Sequence, residues 1–241
     1  MQVQLLNAGW MTASAALWRQ GEDPEKRVRC PVPAYLIETD RERILVDTGL
    51  HPGACEDTAA FYESPRMGLF ALEQEQPLHE QVDLGTVTMV VLTHLHWDHV
   101  GGLGFVPGPV PIVVQRREWE AGHDRAAVER NFFFPRDYAV EERRLQLVDG
   151  DHDLLGDGSV RLLSTPGHTP GHQSVRVGDL VIGADVVHFS SGLDDHRFPA
   201  FGDDLEAQGG SADRLRELRD AGLTVMPGHD PEVLRAGSLT V

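Results

Sequence analysis

Thr93-His94-Leu95-His96-Trp97-Asp98-His99 decides how this chain is read. It follows an apolar run, Met89-Val90-Val91-Leu92, of the kind that forms a buried strand. In extended backbone, residues two apart point the same way, so His94 and His96 are placed to clasp one cation. A turn after His96 aims Asp98 and His99 at a neighbouring position, and Gly101 and Gly102 give the backbone freedom to make it. Imidazole and carboxylate donors suit zinc, with iron, cobalt and manganese as alternatives.

The same grammar recurs. MVVLTHLHWDH, RLLSTPGH, DLVIGAD and LTVMPGH each run from an apolar stretch through a short turn into a His or Asp. One such instance is unremarkable, since a lone His usually sits on the surface or in a hydrogen bond. Four of them, presented by strand ends on loops where sites are commonly built, point to one shared site. Two cations need more donors than the first motif holds, and His168, Asp185 and His229 can supply them.

Working outward, the remaining elements are strands at Val3–Leu6, Tyr35–Glu38, Ile44–Asp47, Thr88–Leu92, Ile112–Val114, Leu145–Val148, Arg161–Ser164, Ser174–Val177, Leu180–Ile182 and Thr224–Met226. Helices are expected over Thr58–Glu63, Leu78–Val82, Arg116–Ala121 and Ser211–Ala221, the last capped by Ser211 and stopped at Gly222. Phe105–Pro111 and Ser190–Asp204 read as loops. No linker divides the 241 residues, so we expect a single layered α/β or α+β domain over 1–241.

The net charge of −17 repels phosphate backbones and anionic membranes, which argues against nucleic-acid and membrane partners. No apolar run reaches membrane-spanning length, and the N-terminus has no basic start or signal-like stretch. Cys30 and Cys55 make no framework and no CxxC pair, which fits free thiols in a reducing cytoplasm.

HxHxDH followed by a downstream His, Asp and His resembles the metallo-β-lactamase superfamily. The resemblance runs from Leu45-Val46-Asp47-Thr48-Gly49 to Gly228-His229-Asp230. It implies an α+β fold, an αββα sandwich with the metals at one edge of the two sheets. By resemblance, His94, His96 and His168 bind one divalent metal, Asp98, His99 and His229 bind a second, and Asp185 bridges both. Asp47 and His172 match supporting positions that orient ligands.

Within the superfamily, a bridging Asp185 argues against true β-lactamases. The short tail after His229 argues against glyoxalase II thioesterases, and the acidic charge against RNA-processing nucleases. The flavin-linked oxygen reductases typically carry Glu where His96 stands. Pro111-Ile112-Val113-Val114-Gln115-Arg116 through Glu118, Ser164-Thr165-Pro166-Gly167-His168-Thr169-Pro170-Gly171-His172-Gln173-Ser174 and Gly228-His229-Asp230 are similar to the quorum-quenching N-acyl-homoserine lactonases. That resemblance implies a lactone hydrolase in which a hydroxide held between two metals attacks the ring carbonyl, since metal binding brings the pKa of water from 15.7 to about 7. Asp98 then relays a proton to the leaving alkoxide. A thioesterase or arylesterase with the same dimetal chemistry is the alternative, and a catalytically silent metal-bound protein is a third reading. The expected partner is a small lactone or ester, with a homodimer as a possible assembly.

Two further expectations concern substrate. Trp10, Met11, Leu17 and Trp18 lie in a segment with little strand or helix signal, and Phe132-Phe133-Phe134 precede Pro135; both are candidates to line an apolar groove for an acyl chain. The homoserine lactonases usually carry a Tyr three positions after the bridging Asp, where this chain has His188. His188 is therefore a candidate catalytic group alongside Asp98, donating to the carbonyl oxygen, with a tolerated replacement facing elsewhere as the competing reading.

Overall fold

The computed structural model describes residues 1–140, 144–199 and 201–239. Its strands are β1 (Gln2–Ser14), β2 (Arg27–Glu38), β3 (Arg43–Val46), β4 (Ala71–Glu73), β5 (Met89–Val91), β6 (Ile112–Gln115), β7 (Leu145–Val148), β8 (His152–Asp153), β9 (Val160–Ser164), β10 (Gln173–Val177), β11 (Leu180–Ala184), β12 (Thr224–Pro227) and β13 (Gly237–Leu239). Its helices are α1 (Ala15–Trp18), α2 (Thr58–Phe61), α3 (Leu78–Gln81), α4 (Trp97–Val100), α5 (Arg116–Ala121), α6 (Arg125–Asn131), α7 (Gly192–Asp195) and α8 (Leu205–Asp220).

Among the described residues the strands form two sheets. The first runs β13-β1-β2-β3-β5-β6-β7, with β4 on β1, and the second runs β12-β11-β10-β9-β8. Alternation along each strand explains the layering. Val3, Leu5, Ile37, Ile44, Val46, Val91 and Val113 face inward and meet Val160, Leu162, Val175, Val177 and Ile182 of the second sheet. Their neighbours Leu6, Leu36, Leu45, Val90, Ile112 and Val114 face the opposite way, into a core closed by Trp97, Leu103 and Tyr138. Val181 and Leu163 on the outer face of the second sheet meet Leu193, Phe198, Ala212 and Leu215, so α7 and α8 cover it. The result is the expected αββα sandwich. Strands β3, β5, β6 and β7 are mutually parallel; β3, β5 and β6 lie inside the sheet and are buried on both faces, which is why they read as apolar runs, whereas β7 at the edge is only partly buried.

Three expectations need correction. The N-terminal segment is not irregular: β1 extends to Ser14 and α1 follows. Its strand period is broken by a bulge between Asn7 and Trp10, where Gly9 sits at φ +140 and a Cβ would lie 2.4 Å from Leu50 Cδ1. Helix α8 begins at Leu205, capped by Asp204, whose carboxylate accepts from Glu206 N and Ala207 N. Gly209-Gly210 hide that start from a propensity reading, and Ser211, far from capping it, donates to Pro166 O at 2.7 Å. The Ser190–Asp204 stretch contains α7. No helix among the described residues is long and apolar enough to cross a membrane.

Candidate active site

Each strand-end motif delivers its side chain to one edge of the sandwich. His94, His96, His168 and Asp185 form one group whose donor atoms lie within 4.8 Å of one another. Asp98, His99 and His229 form a second, and Asp185, His188 and His229 a third. Asp185 reaches both sides: its Oδ2 is 3.4 Å from His168 Nε2 and 3.2 Å from His229 Nε2, and its Oδ1 is 3.5 Å from His99 Nε2. All of these side chains are buried.

The hydrogen-bond partners fix which ring nitrogens are bare. His96 Nε2 lies 2.7 Å from Asn131 O. A carbonyl only accepts, so that nitrogen carries the hydrogen and Nδ1 of the neutral ring is a lone pair. The Thr93 hydroxyl donates to Asp47 Oδ2 at 2.7 Å and therefore accepts from His94 Nδ1 at 3.0 Å, leaving His94 Nε2 bare. These two lone pairs face each other at 3.0 Å, and His168 Nε2 stands 3.0 Å from the same His96 nitrogen. Burial drives His94 and His168 well below the usual imidazole range and brings His96 to about 4. Converging lone pairs on neutral rings repel unless a cation lies among them, so the residues fit a divalent metal.

The second group is oriented in the same way. His99 Nδ1 donates to Asp47 Oδ2 at 2.7 Å, and His229 Nδ1 to Pro31 O at 2.9 Å. Their Nε2 atoms face Asp98 Oδ2 at 3.6 and 3.4 Å. Burial opposes charge on His99, but the carboxylates of Asp98, Asp185 and Asp47 outweigh it and hold the ring well above its usual value. Asp185 is also opposed by burial, yet His229, His99 and His188 keep it ionised. His99 Nε2 and Asp185 Oδ1 are buried without a hydrogen-bond partner, as ligand atoms awaiting a cation would be.

Above the two groups lies a cavity floored by His96, Asp98, Asp185, His188 and His229 and walled by Met11, Leu17, Trp18, Phe70, Trp97 and Phe132. The groove expectation therefore holds for Met11, Leu17, Trp18 and Phe132. Trp10 lies elsewhere, under the Arg29 guanidinium. Phe133 packs in the core against His96 and Tyr138, and Phe134 against Tyr62.

A family model of the metallo-beta-lactamase superfamily matches residues 27–229. The chain belongs to that superfamily. It is 30% identical to an N-acyl homoserine lactonase of Bacillus thuringiensis, over 87% of this chain and 85% of the relative. It is 32% identical to the N-acyl homoserine lactonase AttM of Azorhizobium caulinodans, over 84% of this chain and 82% of the relative. Among solved structures it superposes with a TM-score of 0.83 and 26% identity on an N-acyl homoserine lactone hydrolase holding the product N-hexanoyl-L-homoserine at its catalytic metal centre; 96% of this chain and 94% of the other are covered.

Supporting residues of this superfamily site divide into those the sequence marked and one it did not. Asp47 and His172 stand where they were expected. Asp47 also accepts from Thr93 N at 2.8 Å. His172 Nε2 accepts from Asp185 N at 3.2 Å. Glu118 was read only as part of a matching stretch. Its buried carboxylate accepts from Leu95 N at 2.9 Å and Gly171 N at 2.7 Å, tying the loop of His94 and His96 to the loop of His168. Burial pushes it up to about 7 against those two bonds. A carboxylate three residues past the wholly buried β6 was the available signal, because a charge so placed needs partners.

Proposed function

We propose that this chain opens the ester ring of a lactone, with N-acyl-homoserine lactones as the first substrate class. The observation that carries the reading is the convergence of seven buried imidazole and carboxylate groups, joined through Asp185, beneath an apolar cavity whose floor His96, Asp98, Asp185 and His229 reach; the names of the relatives supply the substrate class. His94, His96 and His168 would hold one divalent cation, and Asp98, His99 and His229 the second, with Asp185 shared. Zinc is the metal we assign, with iron, cobalt and manganese as alternatives. When bound, the pair of cations supplies an activated water at neutral pH and polarises the ring carbonyl.

The chain's own residues do the rest. The apolar wall takes the acyl arm and excludes water. Asp98, at the cavity floor, accepts a proton and returns it to the leaving alkoxide. His188 Nε2 lies 3.1 Å from Asp185 Oδ2, so it carries a hydrogen, while Nδ1 is buried without a partner. A neutral His188 thus offers Nδ1 as an acceptor, and donation from Nδ1 to the carbonyl oxygen runs through the imidazolium. The unpaired Cys30 and Cys55 fit the reducing cytoplasm in which we place the protein. Elemental analysis of Asp185→Ala tests the assignment: both metals should be lost or weakened together, and full metal with full activity would overturn it.

A further inference from the structure

The cavity measures about 220 Å³, below the roughly 300–1,000 Å³ of sites that enclose a drug-sized ligand. A lactone with a long acyl arm is therefore not swallowed whole, and its far end crosses the rim. At that rim stand Arg66, Leu69 and Phe132. The Arg66 guanidinium sits 4.3 Å over the Phe132 ring, which orients the cation on the aromatic face. Phe132 holds that position in left-handed backbone, φ 63 and ψ 35, where it closes α6. Bulky side chains rarely adopt this conformation, and such strain gathers at ligand clamps.

The second arginine of the cavity, Arg130, is engaged by Asp203 at 2.9 Å. Arg66 has no carboxylate partner among the described residues, although the chain carries 38 acidic residues against 21 basic ones. Seated at the exit of an apolar cavity, this guanidinium offers five donors that no acceptor among the described residues takes.

Resting on the lactonase reading, we propose that Arg66, seated on Phe132, selects lactones whose acyl arm carries an acceptor oxygen at its far end, a carboxylate most strongly. The test compares kcat/KM on N-octanoyl- and N-suberoyl-homoserine lactone, arms of equal length that differ by a terminal carboxylate. Arg66→Met should lower the suberoyl-to-octanoyl ratio about three- to fivefold, the scale of an exposed ion pair. The change should lie in KM rather than kcat, because a remote contact serves ground and transition states alike. The repulsion of the suberoyl anion by the net charge is nearly the same in both proteins and cancels between them. Arg66→Lys, which keeps the charge but loses the fork, should fall between the two. A ratio unmoved by Arg66→Met overturns the proposal and leaves the lactonase reading standing. Failure of the wild type on both lactones overturns that reading and this one with it.

Discussion

Asp47 Oδ2 lies 2.7 Å from His99 Nδ1, and the same oxygen takes the Thr93 hydroxyl that orients His94. One carboxylate thereby aims an imidazole in each metal-capable group. It does so from a residue at φ 59, a left-handed turn at the end of β3 that brings the carboxylate back under the site. Asp47→Asn leaves one accepting oxygen where two served three donors, so an NH2 group faces either Thr93 N or the His99 and Thr93 side chains. Metal affinity, read by competition with a chromophoric chelator, should fall about 10- to 100-fold, as for other orienting partners of metal ligands. Unaltered affinity would show that His94 and His99 are held in place without Asp47.

His188→Phe keeps an aromatic ring, somewhat larger, and removes both nitrogens. With metal content unchanged, kcat should fall about tenfold and no more than about 100-fold, at or below the range for one oxyanion donor because the cations polarise the same oxygen. His188→Tyr, which restores the hydroxyl usual in the homoserine lactonases, should recover the loss. If His188→Phe turns over at the wild-type rate, the imidazole does not touch the reacting carbonyl.

Much of this site was legible because its chemistry is written as strand, turn, ligand. The ends of β5, β9, β11 and β12 each stop in an apolar run followed by His or Asp, and the fold brings these four ends to one edge. The interior strands were equally plain, since burial on both faces leaves no polar interruption. What the sequence concealed follows from local irregularity. The bulge near Gly9 breaks the two-residue period of β1, so Met11 was read as lying in an irregular segment when it stands on a strand. The Gly209-Gly210 pair masks the first turns of α8. Helix α6 was missed outright, and with it the reason that Asn131 O meets His96 and Phe132 turns toward the cavity. The position of Glu118 just past β6 signalled that it needs partners, but not which, because both are backbone N–H groups, which leave no mark on side-chain identity.

Acid stability offers an independent check on the packing around Asp137, beside Tyr62 and Arg136. Burial raises the Asp137 carboxyl from 3.8 to about 7. Between those values the folded chain keeps a proton that the unfolded chain has released, so this group's contribution to stability falls as pH rises through the window. The cost by neutral pH is a few kcal/mol at most. Asp137→Asn should therefore gain on the wild type progressively from pH 4 to 7 in urea unfolding, and the difference should level off above that. A constant difference across the window would mean that the carboxyl titrates normally in the folded protein.

The proposed lactone hydrolysis depends on bound metal. Proton release from an N-acyl-homoserine lactone, followed in a pH-stat with the protein as purified, after exhaustive chelation, and after return of zinc, tests this most directly. We predict about two divalent ions per chain before chelation, loss of turnover with their removal, and its recovery as both are restored. Undiminished turnover by protein that elemental analysis shows to be metal-free would contradict the account, as would intact lactone in the presence of protein carrying both ions.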